Sequence, residues 1–179
     1  MPEIIKLNSI TDSKLLLEVI NQIKSIFFQS SSQKEFADEA SKILFFNKWC
    51  GDYIESLSDQ FYVMIEGEKV LGYLSGSRDT NTSSLFLRVP ALSLFKDLYM
   101  TYPAHFHINF HPDCRGRGLG AQLVEEYCGD LRMEKCPGVH IVTSPEAKNV
   151  SFYQKLNFDY QSIREFKQMK LLFLGRRPI

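Results

Sequence analysis

The sequence predicts an α/β fold in which a central sheet is flanked by about four helices. Some segments repeat apolar residues at helical spacing, others alternate apolar and polar residues as strands do, and the two kinds follow one another along the chain. With 179 residues, of which 44% are hydrophobic and 23% charged, the chain has the size and composition of one globular domain. We therefore expect a single domain over residues 1–179.

The first half begins with the strand-like segment EIIKLNSI and continues with two helices. Apolar residues recur at helical spacing from Leu15 to Phe27, which predicts the first helix. Ser32 and Glu35 have the spacing of a capping box, so we expect a second helix to begin there and to end near Gly51.

Two strands are predicted next, followed by a less regular segment. FYVMIE and KVLGYLSGS are separated by a turn at Gly67 and predict a hairpin. Residues 80–103 show no clear period apart from a short helix predicted around Leu92–Met100. We interpret residues 80–103 as a segment inserted between strands.

The second half begins with AHFHINFHP, whose alternation predicts a strand with one unusually polar face. A third helix follows the loop DCRGRGLG. GVHIVTS then reads as a buried strand, KNVSFYQKLNF as a fourth helix, and FKQMKLLFL as a closing strand. Within GVHIVTS, we expect a structural role for His140.

The charge balance argues against several classes of partner. Lys and Arg number 21, as do Asp and Glu, so no net field attracts nucleic acid. The basic excess is confined to residues 67–179, with 15 basic and 11 acidic side chains, so an anionic ligand is expected there. No apolar run has the length of a membrane span, and the start lacks the pattern of a secretory signal. We expect a cytoplasmic protein without a membrane partner.

The cysteines and histidines do not suggest a metal site. The four cysteines form no C-x-x-C pair, and Cys114 lies near histidines without the spacing of a zinc site. We therefore expect free thiols and no metal.

The loop Arg115–Gly120, with the sequence RGRGLG, lies between a strand and an amphipathic helix. Small residues let successive backbone N–H groups converge, and a helix N-terminus adds positive potential, so the loop suits a pyrophosphate. Arg115 and Arg117 would add charge-assisted contacts. The Walker pattern does not fit, because Ala121-Gln122 follow the last glycine in place of Lys-Ser/Thr, and the dinucleotide-binding pattern requires a different glycine spacing and a later acidic residue. The alternative is a glycine-rich turn that only reverses the chain.

Two segments resemble the GNAT superfamily of N-acetyltransferases. HINFHPDCRGRGLGAQLVEEY is similar to its acetyl-coenzyme A signature, Arg/Gln-x-x-Gly-x-Gly/Ala, with Arg115, Gly118 and Gly120 in register. NVSFYQKLNF resembles the family's Phe-Tyr-x-Lys-x-Gly-Phe element, except that Asn157 replaces the glycine. Asparagine also tolerates left-handed backbone. YPAHFHINFHP is more weakly similar to acetyltransferase-like domains associated with O-GlcNAc hydrolases.

The resemblance implies a mixed, mostly antiparallel sheet, acetyl-CoA as cosubstrate, and direct acetyl transfer to a primary amine. It also implies backbone contacts from Ile108 and Phe110 to the pantetheine arm and the thioester oxygen. The diphosphate would bind Arg115, Gly116, Arg117, Gly118, Leu119 and Gly120. Tyr153 would protonate the departing thiolate, and Asn149 would either contact the cofactor arm or cap its helix.

His107 is the candidate general base. Imidazole with a pKa of about 6.5 accepts a proton near neutrality, and His107 shares the polar face with Asn109. A structural histidine, with water carrying the proton, is the alternative. Trp49 and Tyr53 either line an acceptor pocket or pack in the core.

The sequence is compatible with two functions. The first is an acetyl-CoA-dependent N-acetyltransferase acting on a small molecule or a protein. The second is a non-catalytic acyl-CoA-binding or protein-interaction module with the same fold. The sequence does not indicate the acceptor or the oligomeric state.

Overall fold

The computed structural model describes residues 1–83 and 88–177. The chain divides into two compact units, Met1–Gly76 with His107–Tyr127, and Ser77–Phe106 with Cys128–Ile179. The expectation of one domain, and of an insertion at residues 80–103, stays a prediction. Residues 84–87, which belong to the proposed insertion, lie outside the described residues.

Seven strands form a mixed sheet in the order β1-β2-β3-β4-β5-β7-β6. The pairing of β4 with β5 is parallel, whereas β1–β2, β2–β3, β5–β7 and β6–β7 are antiparallel. The expected mostly antiparallel sheet is confirmed. The strands are β1 (Glu3–Lys6), β2 (Phe61–Glu66), β3 (Lys69–Ser77), β4 (Ala104–Phe110), β5 (Val139–Thr143), β6 (Tyr160–Phe166) and β7 (Met169–Arg176).

The described residues also form five α-helices. The helices are α1 (Ser13–Ser30), α2 (Glu39–Phe46), α3 (Asp52–Ser56), α4 (Leu119–Met133) and α5 (Val150–Gln154). Helix α1 begins where its N-cap Asp12 accepts the backbone N–H groups of Lys14 and Leu15, both at 2.9 Å.

The second helix begins later than the sequence predicts, and the proposed capping box is wrong. Asp38 caps α2 by accepting the N–H of Ser41 at 2.7 Å. The preceding segment instead closes the end of α1, because the Lys34 ammonium donates to the carbonyls of Phe28 and Gln29 at 2.9 and 3.0 Å. Ser32 and Glu35 thus lie in the non-helical segment between α1 and α2.

The predicted helix stop at Gly51 is also wrong. A π-helical turn over Asn47–Gly51 links α2 directly to α3, so helical backbone continues to Ser56. A π turn inserts an extra residue and changes the direction of the side chains, and such turns occur frequently at functional sites. This turn carries Trp49 and Cys50.

The β2–β3 hairpin is confirmed, and α1 is fastened to it. Gly67 adopts a φ of +61° in the turn. Gln22 of α1 donates to the Glu68 carbonyl at 2.9 Å and accepts the Val70 N–H at 2.8 Å. A register shift between Met64 and Ile65 places an extra residue in β3.

The second unit has a core of aromatic residues around the segment before β4. A 3-10 helix over Pro90–Leu98 takes the place of the predicted short helix. The buried core cluster consists of Phe95, Tyr99, Tyr102 and Phe173. A two-bond ion pair between Arg164 of β6 and Asp97, at 2.6 and 2.8 Å, secures the 3-10 helix.

Two buried histidines in this unit have structural partners. His105 Nδ1 hydrogen-bonds with the Thr80 hydroxyl at 2.7 Å, and His140 Nδ1 with the Tyr102 carbonyl at 2.7 Å. The structural role expected for His140 is confirmed. The fourth predicted helix is shorter in the structure, where it forms α5. Asn157 has the expected left-handed φ of +61°.

Gly72 of β3 provides a test of packing at the end of β4. A Cβ at this position would overlap the Phe110 ring. Gly72→Ala should therefore lower the free energy of unfolding by about 1–3 kcal/mol, measured by urea denaturation. The control is Gly129→Ala, since no atom lies within 4 Å of the added Cβ.

Gly129 lies in α4, where alanine is the better helix former, so the control should be neutral or more stable by about 0.5–1 kcal/mol. Equal stability of Gly72→Ala and the wild type would contradict this packing account.

Candidate functional site

The end of β4 presents backbone donors on the edge that faces away from β3. The His111 N–H donates to the Leu71 carbonyl of β3 at 2.9 Å. Because N–H groups alternate between the two edges of a strand, those of Phe110 and Ile108 point to the opposite edge. The parallel pairing with β5 joins Ala104 to Val139 and His105 to His140. These paired residues precede Ile108 and Phe110 along β4.

Arg115 ties the following loop to the strand end. Its Nε donates to the Phe110 carbonyl at 3.2 Å, and its Nη2 donates to the Ser30 hydroxyl at 3.0 Å. The sequence suggested a phosphate contact for Arg115, and that contact stays a prediction. The structure adds a positioning role, because these bonds hold the loop against both the strand and the end of α1.

The loop itself depends on left-handed glycines. Gly116 and Gly118 have φ values of +74° and +76°, and a Cβ on either would meet no atom within 4 Å. Glycine adopts this backbone without the steric cost that other residues carry. Alternation of left- and right-handed backbone turns successive N–H groups toward one concavity that binds anions.

Helix α4 extends this concavity. The Gly118 carbonyl accepts the N–H groups of Ala121 and Gln122 at 3.2 and 3.4 Å, which forms the first turn of the helix. The N–H groups of Leu119 and Gly120 precede these bonds and have no acceptor within the helix. Gly120 is helical rather than left-handed, and the exposed Arg117 adds positive charge beside it.

His107 lies between two aromatic rings of the helical segment. Its ring centroid is 5.5 Å from that of Trp49 and 5.7 Å from that of Tyr53, and both pairs are nearly perpendicular. Burial lowers the pKa of His107 from 6.5 to about 4. The imidazole is therefore neutral at pH 7, with a lower pKa than the sequence-based expectation assumed.

Asn109 is held by a buried tyrosine. Its Nδ2 donates to the Tyr73 hydroxyl at 3.0 Å, and Tyr73 also hydrogen-bonds with Cys50. Burial raises the pKa of Tyr73 well above 10 and that of Cys50 to about 12, so both stay protonated. Sequence reasoning missed Tyr73 and Cys50, because only the sheet register and the π turn bring them to Asn109.

A cavity of about 310 Å³ opens beside His107 and Asn109. Its remaining lining residues come from the helical segments and from the turn after α1. They are Phe27, Phe45 and Trp49, which are aromatic, and Ser31 and Ser32, which carry hydroxyls. Trp49 thus lines a cavity, as one interpretation of the sequence suggested, and Tyr53 contacts His107 from a buried position.

The second unit contains Tyr153 and Asn149. Tyr153 lies on α5, 5% exposed, with its ring centroid 6.0 Å from Phe106 and 5.6 Å from Phe158. Burial raises the pKa of Tyr153 above its usual value, so the hydroxyl keeps its proton at neutral pH. The Asn149 side chain makes no capping bond and instead accepts from the Thr143 hydroxyl at 3.3 Å. The capping role is wrong, and the cofactor contact stays a prediction.

Residues 1–83 and 88–177 contain neither a metal-binding cluster nor a helix that could cross a membrane. Within these ranges no group of three or more His, Cys, Asp or Glu side chains could hold a metal ion. None of the helices in the same ranges is both long enough and apolar enough to cross a bilayer.

The family model of the acetyltransferase (GNAT) domain matches residues 58–160, more than half of the chain. The chain belongs to the GNAT acetyltransferase family. A solved structure named SsHAT is similar to this GNAT chain with a TM-score of 0.72 and 19% identity, covering 99% of this chain and 98% of that one. PH1933 from Pyrococcus horikoshii OT3 has a TM-score of 0.68 and 14% identity, with 99% and 98% coverage.

A third structure similar to this GNAT chain contains coenzyme A. It is the PaiA N-acetyltransferase from Thermoplasma acidophilum, with a TM-score of 0.57, 11% identity and 99% coverage of both chains. The family resemblance and the fold are thus confirmed. The weaker similarity to O-GlcNAc hydrolase-associated domains stays a prediction.

Acetyl-CoA is the cosubstrate of this family, and the residues of the loop fit it. The left-handed glycines and the first N–H groups of α4 would present donors to a diphosphate. Arg117 supplies positive charge, and no side chain at Gly116 or Gly118 blocks the approach.

Gly118→Val tests the loop as a diphosphate site. Valine is strained at positive φ and would disturb the converging donors, so the Kd for acetyl-CoA should rise at least about tenfold by calorimetry. The matched control is Gly67→Val, because Gly67 also has positive φ and open space but lies in the hairpin turn.

Both variants should lose a similar amount of stability from the same backbone strain, but only Gly118→Val should lose affinity. Wild-type affinity in a folded Gly118→Val protein would remove the loop from the cofactor site.

The burial of His107 also predicts a pH dependence of stability. Between the folded-state pKa of about 4 and the ordinary value of 6.5, the unfolded chain binds a proton that the folded chain does not. The free energy of unfolding should therefore fall as pH is lowered through this window. Relative to His107→Gln, the wild type should lose about 2 kcal/mol more between about pH 7 and about pH 5.

Urea denaturation at both pH values measures this difference, and the three other histidines are common to both proteins. Parallel pH profiles of the two proteins would show that the His107 pKa is not lowered.

Proposed function

We propose that this chain is an N-acetyltransferase that moves the acetyl group of acetyl-CoA directly to a primary amine. One observation carries the proposal: the outward donors of Ile108 and Phe110 lead directly into the left-handed glycine loop at the start of α4. His107, which can accept a proton, lies on the same strand and lines a cavity.

Cosubstrate binding follows the strand and then the loop. The N–H groups of Ile108 and Phe110 would pair with the pantetheine arm as an added strand does, with the Phe110 N–H on the thioester oxygen. Residues Arg115–Gly120 would hold the diphosphate, and Asn149 would contact the arm. Acetyl-CoA supplies an acyl group activated as a thioester.

His107 is proposed as the proton acceptor, directly or through one water. Its low pKa makes it neutral over the whole physiological range, so it is always in the accepting form. The same low pKa makes His107 a weak base. A weak base is sufficient here, because the N–H of the amine becomes more acidic as its nitrogen attacks the thioester carbon. The acidic limb of kcat/KM that depends on His107 should accordingly lie near pH 4, and His107→Gln should remove it.

Tyr153 is proposed as the donor to the departing thiolate. Its raised pKa keeps the hydroxyl protonated wherever the enzyme works, so a donor is present in each turnover. Its ring is fixed by Phe106 and Phe158, which limits the positions that the hydroxyl can take.

The alternative function is a module that binds acyl-CoA without turnover. It shares the loop with the enzyme but requires no proton acceptor or donor. Thermal melting with acetyl-CoA reports binding in both cases, whereas only the enzyme releases coenzyme A thiol in the presence of an amine.

Tyr153→Phe tests the enzyme. The wild type should release thiol from acetyl-CoA in an amine-dependent way, and the variant should lose about 10²- to 10⁴-fold in kcat at unchanged cosubstrate affinity. Tyr160→Phe, an exposed tyrosine of the same unit, is the control and should keep its rate. Wild-type kcat in Tyr153→Phe would refute the donor role, and binding without thiol release for any amine would refute the enzyme.

A further inference from the structure

We propose that the acceptor is a primary amine carried on an apolar or aromatic group, bound in the cavity beside His107. The inference rests on the proposed acetyl transfer and names its substrate class. All seven residues that line the cavity belong to the first unit.

The walls of the cavity are mainly apolar. Phe27, Phe45 and Trp49 form one group of lining residues, drawn from α1, α2 and the π turn. Phe27 and Phe45 also contact each other with ring centroids 5.6 Å apart, so they form a continuous aromatic surface. The volume of about 310 Å³ lies at the lower end of small-ligand sites and accommodates a ring with a short chain.

Two of the few polar side chains of the cavity lie on one strand. His107 and Asn109 alternate along β4 and both line the cavity. The Asn109 Nδ2 donates to Tyr73, which orients its carbonyl oxygen as the acceptor for an amine N–H. The site therefore offers contacts for one nitrogen and an apolar surface for the rest of the molecule.

The charges argue against polycationic acceptors. None of the seven lining residues is a carboxylate, and burial lowers the pKa of His107 so that it is neutral. The Lys48 ammonium lies 4.9 Å from the centroid of the Trp49 ring, so one of the lining residues is in contact with a positive charge. A second ammonium on the acceptor would have no counter-ion among the lining residues and would be repelled by Lys48.

A polar amine such as an amino sugar is disfavoured for a related reason. Each hydroxyl that enters an apolar site must find a hydrogen-bond partner or lose its hydration. Phe27 and Phe45 offer none, so the partners are limited to the indole N–H of Trp49, the hydroxyls of Ser31 and Ser32, and the two polar residues of β4. Discrimination of about 10- to 100-fold is expected from such a pocket.

The experiment compares kcat/KM for four acceptors with the full chain and saturating acetyl-CoA. The acceptors are 2-phenylethylamine, a tripeptide that begins with phenylalanine, spermidine and glucosamine. One or both of the first two should exceed spermidine and glucosamine by at least about tenfold, and their ratio separates a free amine from a peptide N-terminus. A preference for spermidine or glucosamine would overturn the inference while leaving the acetyltransferase intact.

Two variants assign the preference to the cavity. Trp49→Ala should lower kcat/KM for the preferred apolar acceptor at least about tenfold, mainly through KM, while methylamine is little affected. The control Leu44→Ala removes a 67% exposed side chain of α2 that does not line the cavity, and its activity should be unchanged. An equal loss for methylamine and the apolar acceptor would overturn the role of the aromatic wall.

A gain-of-function variant covers the case in which Trp49→Ala unfolds. Ser32 is exposed and lines the cavity, so Ser32→Glu adds a carboxylate without disturbing the core. It should raise kcat/KM for spermidine several-fold relative to 2-phenylethylamine. An unchanged ratio would contradict the electrostatic argument.

Binding can be followed without turnover, because Trp49 is the one tryptophan of the sequence. The apolar acceptor should change the Trp49 fluorescence, and spermidine at equal concentration should not. A fluorescence change without thiol release would show that the cavity binds the amine but that the acetyl transfer fails. Acetylation of an amine without any fluorescence change would place the acceptor elsewhere and overturn the inference.

Discussion

The hydrogen bond from the His111 N–H to the Leu71 carbonyl determines which edge of β4 is available for a ligand. Backbone groups alternate along a strand, so this one bond directs the donors of Phe110 and Ile108 away from β3. Gly72 leaves room for the Phe110 ring, and the Arg115 Nε donates a hydrogen bond to the Phe110 carbonyl. The strand edge, the loop and the start of α4 thus follow from one pairing register.

Burial determines the protonation of the side chains around this strand. His107 loses its charge because its ring is enclosed by Trp49 and Tyr53, and Cys50 and Tyr73 keep their protons because they are buried. Each group therefore has one protonation state across neutral pH. In the proposed acetyl transfer, His107 would therefore take its proton at the stage where attack makes the amine nitrogen more acidic.

The helical segment contributes to the site through an irregularity. An uninterrupted α-helix from Glu39 onward would present its side chains in a different direction after residue 47, and the π turn places Trp49 beside His107 and Cys50 beside Tyr73. The turn after α1 supplies Ser31 and Ser32 to the same cavity. The cavity beside His107 is therefore built from segments whose local sequence resembles ordinary helix and loop.

The sequence by itself determined the features that depend on local backbone preference. The glycine spacing of Arg115–Gly120 predicted the loop before α4, the alternation of AHFHINFHP predicted β4, and Asn157 was expected to be left-handed, because these properties are set by a residue and its nearest neighbours. The start of α2 at Asp38 is also a local feature, because Asp38 accepts the Ser41 N–H three residues on, and this cap competed with the Ser32–Glu35 spacing. Tertiary structure alone decided the pKa of His107 and the Tyr73–Asn109 contact, because these depend on burial and on partners distant in sequence.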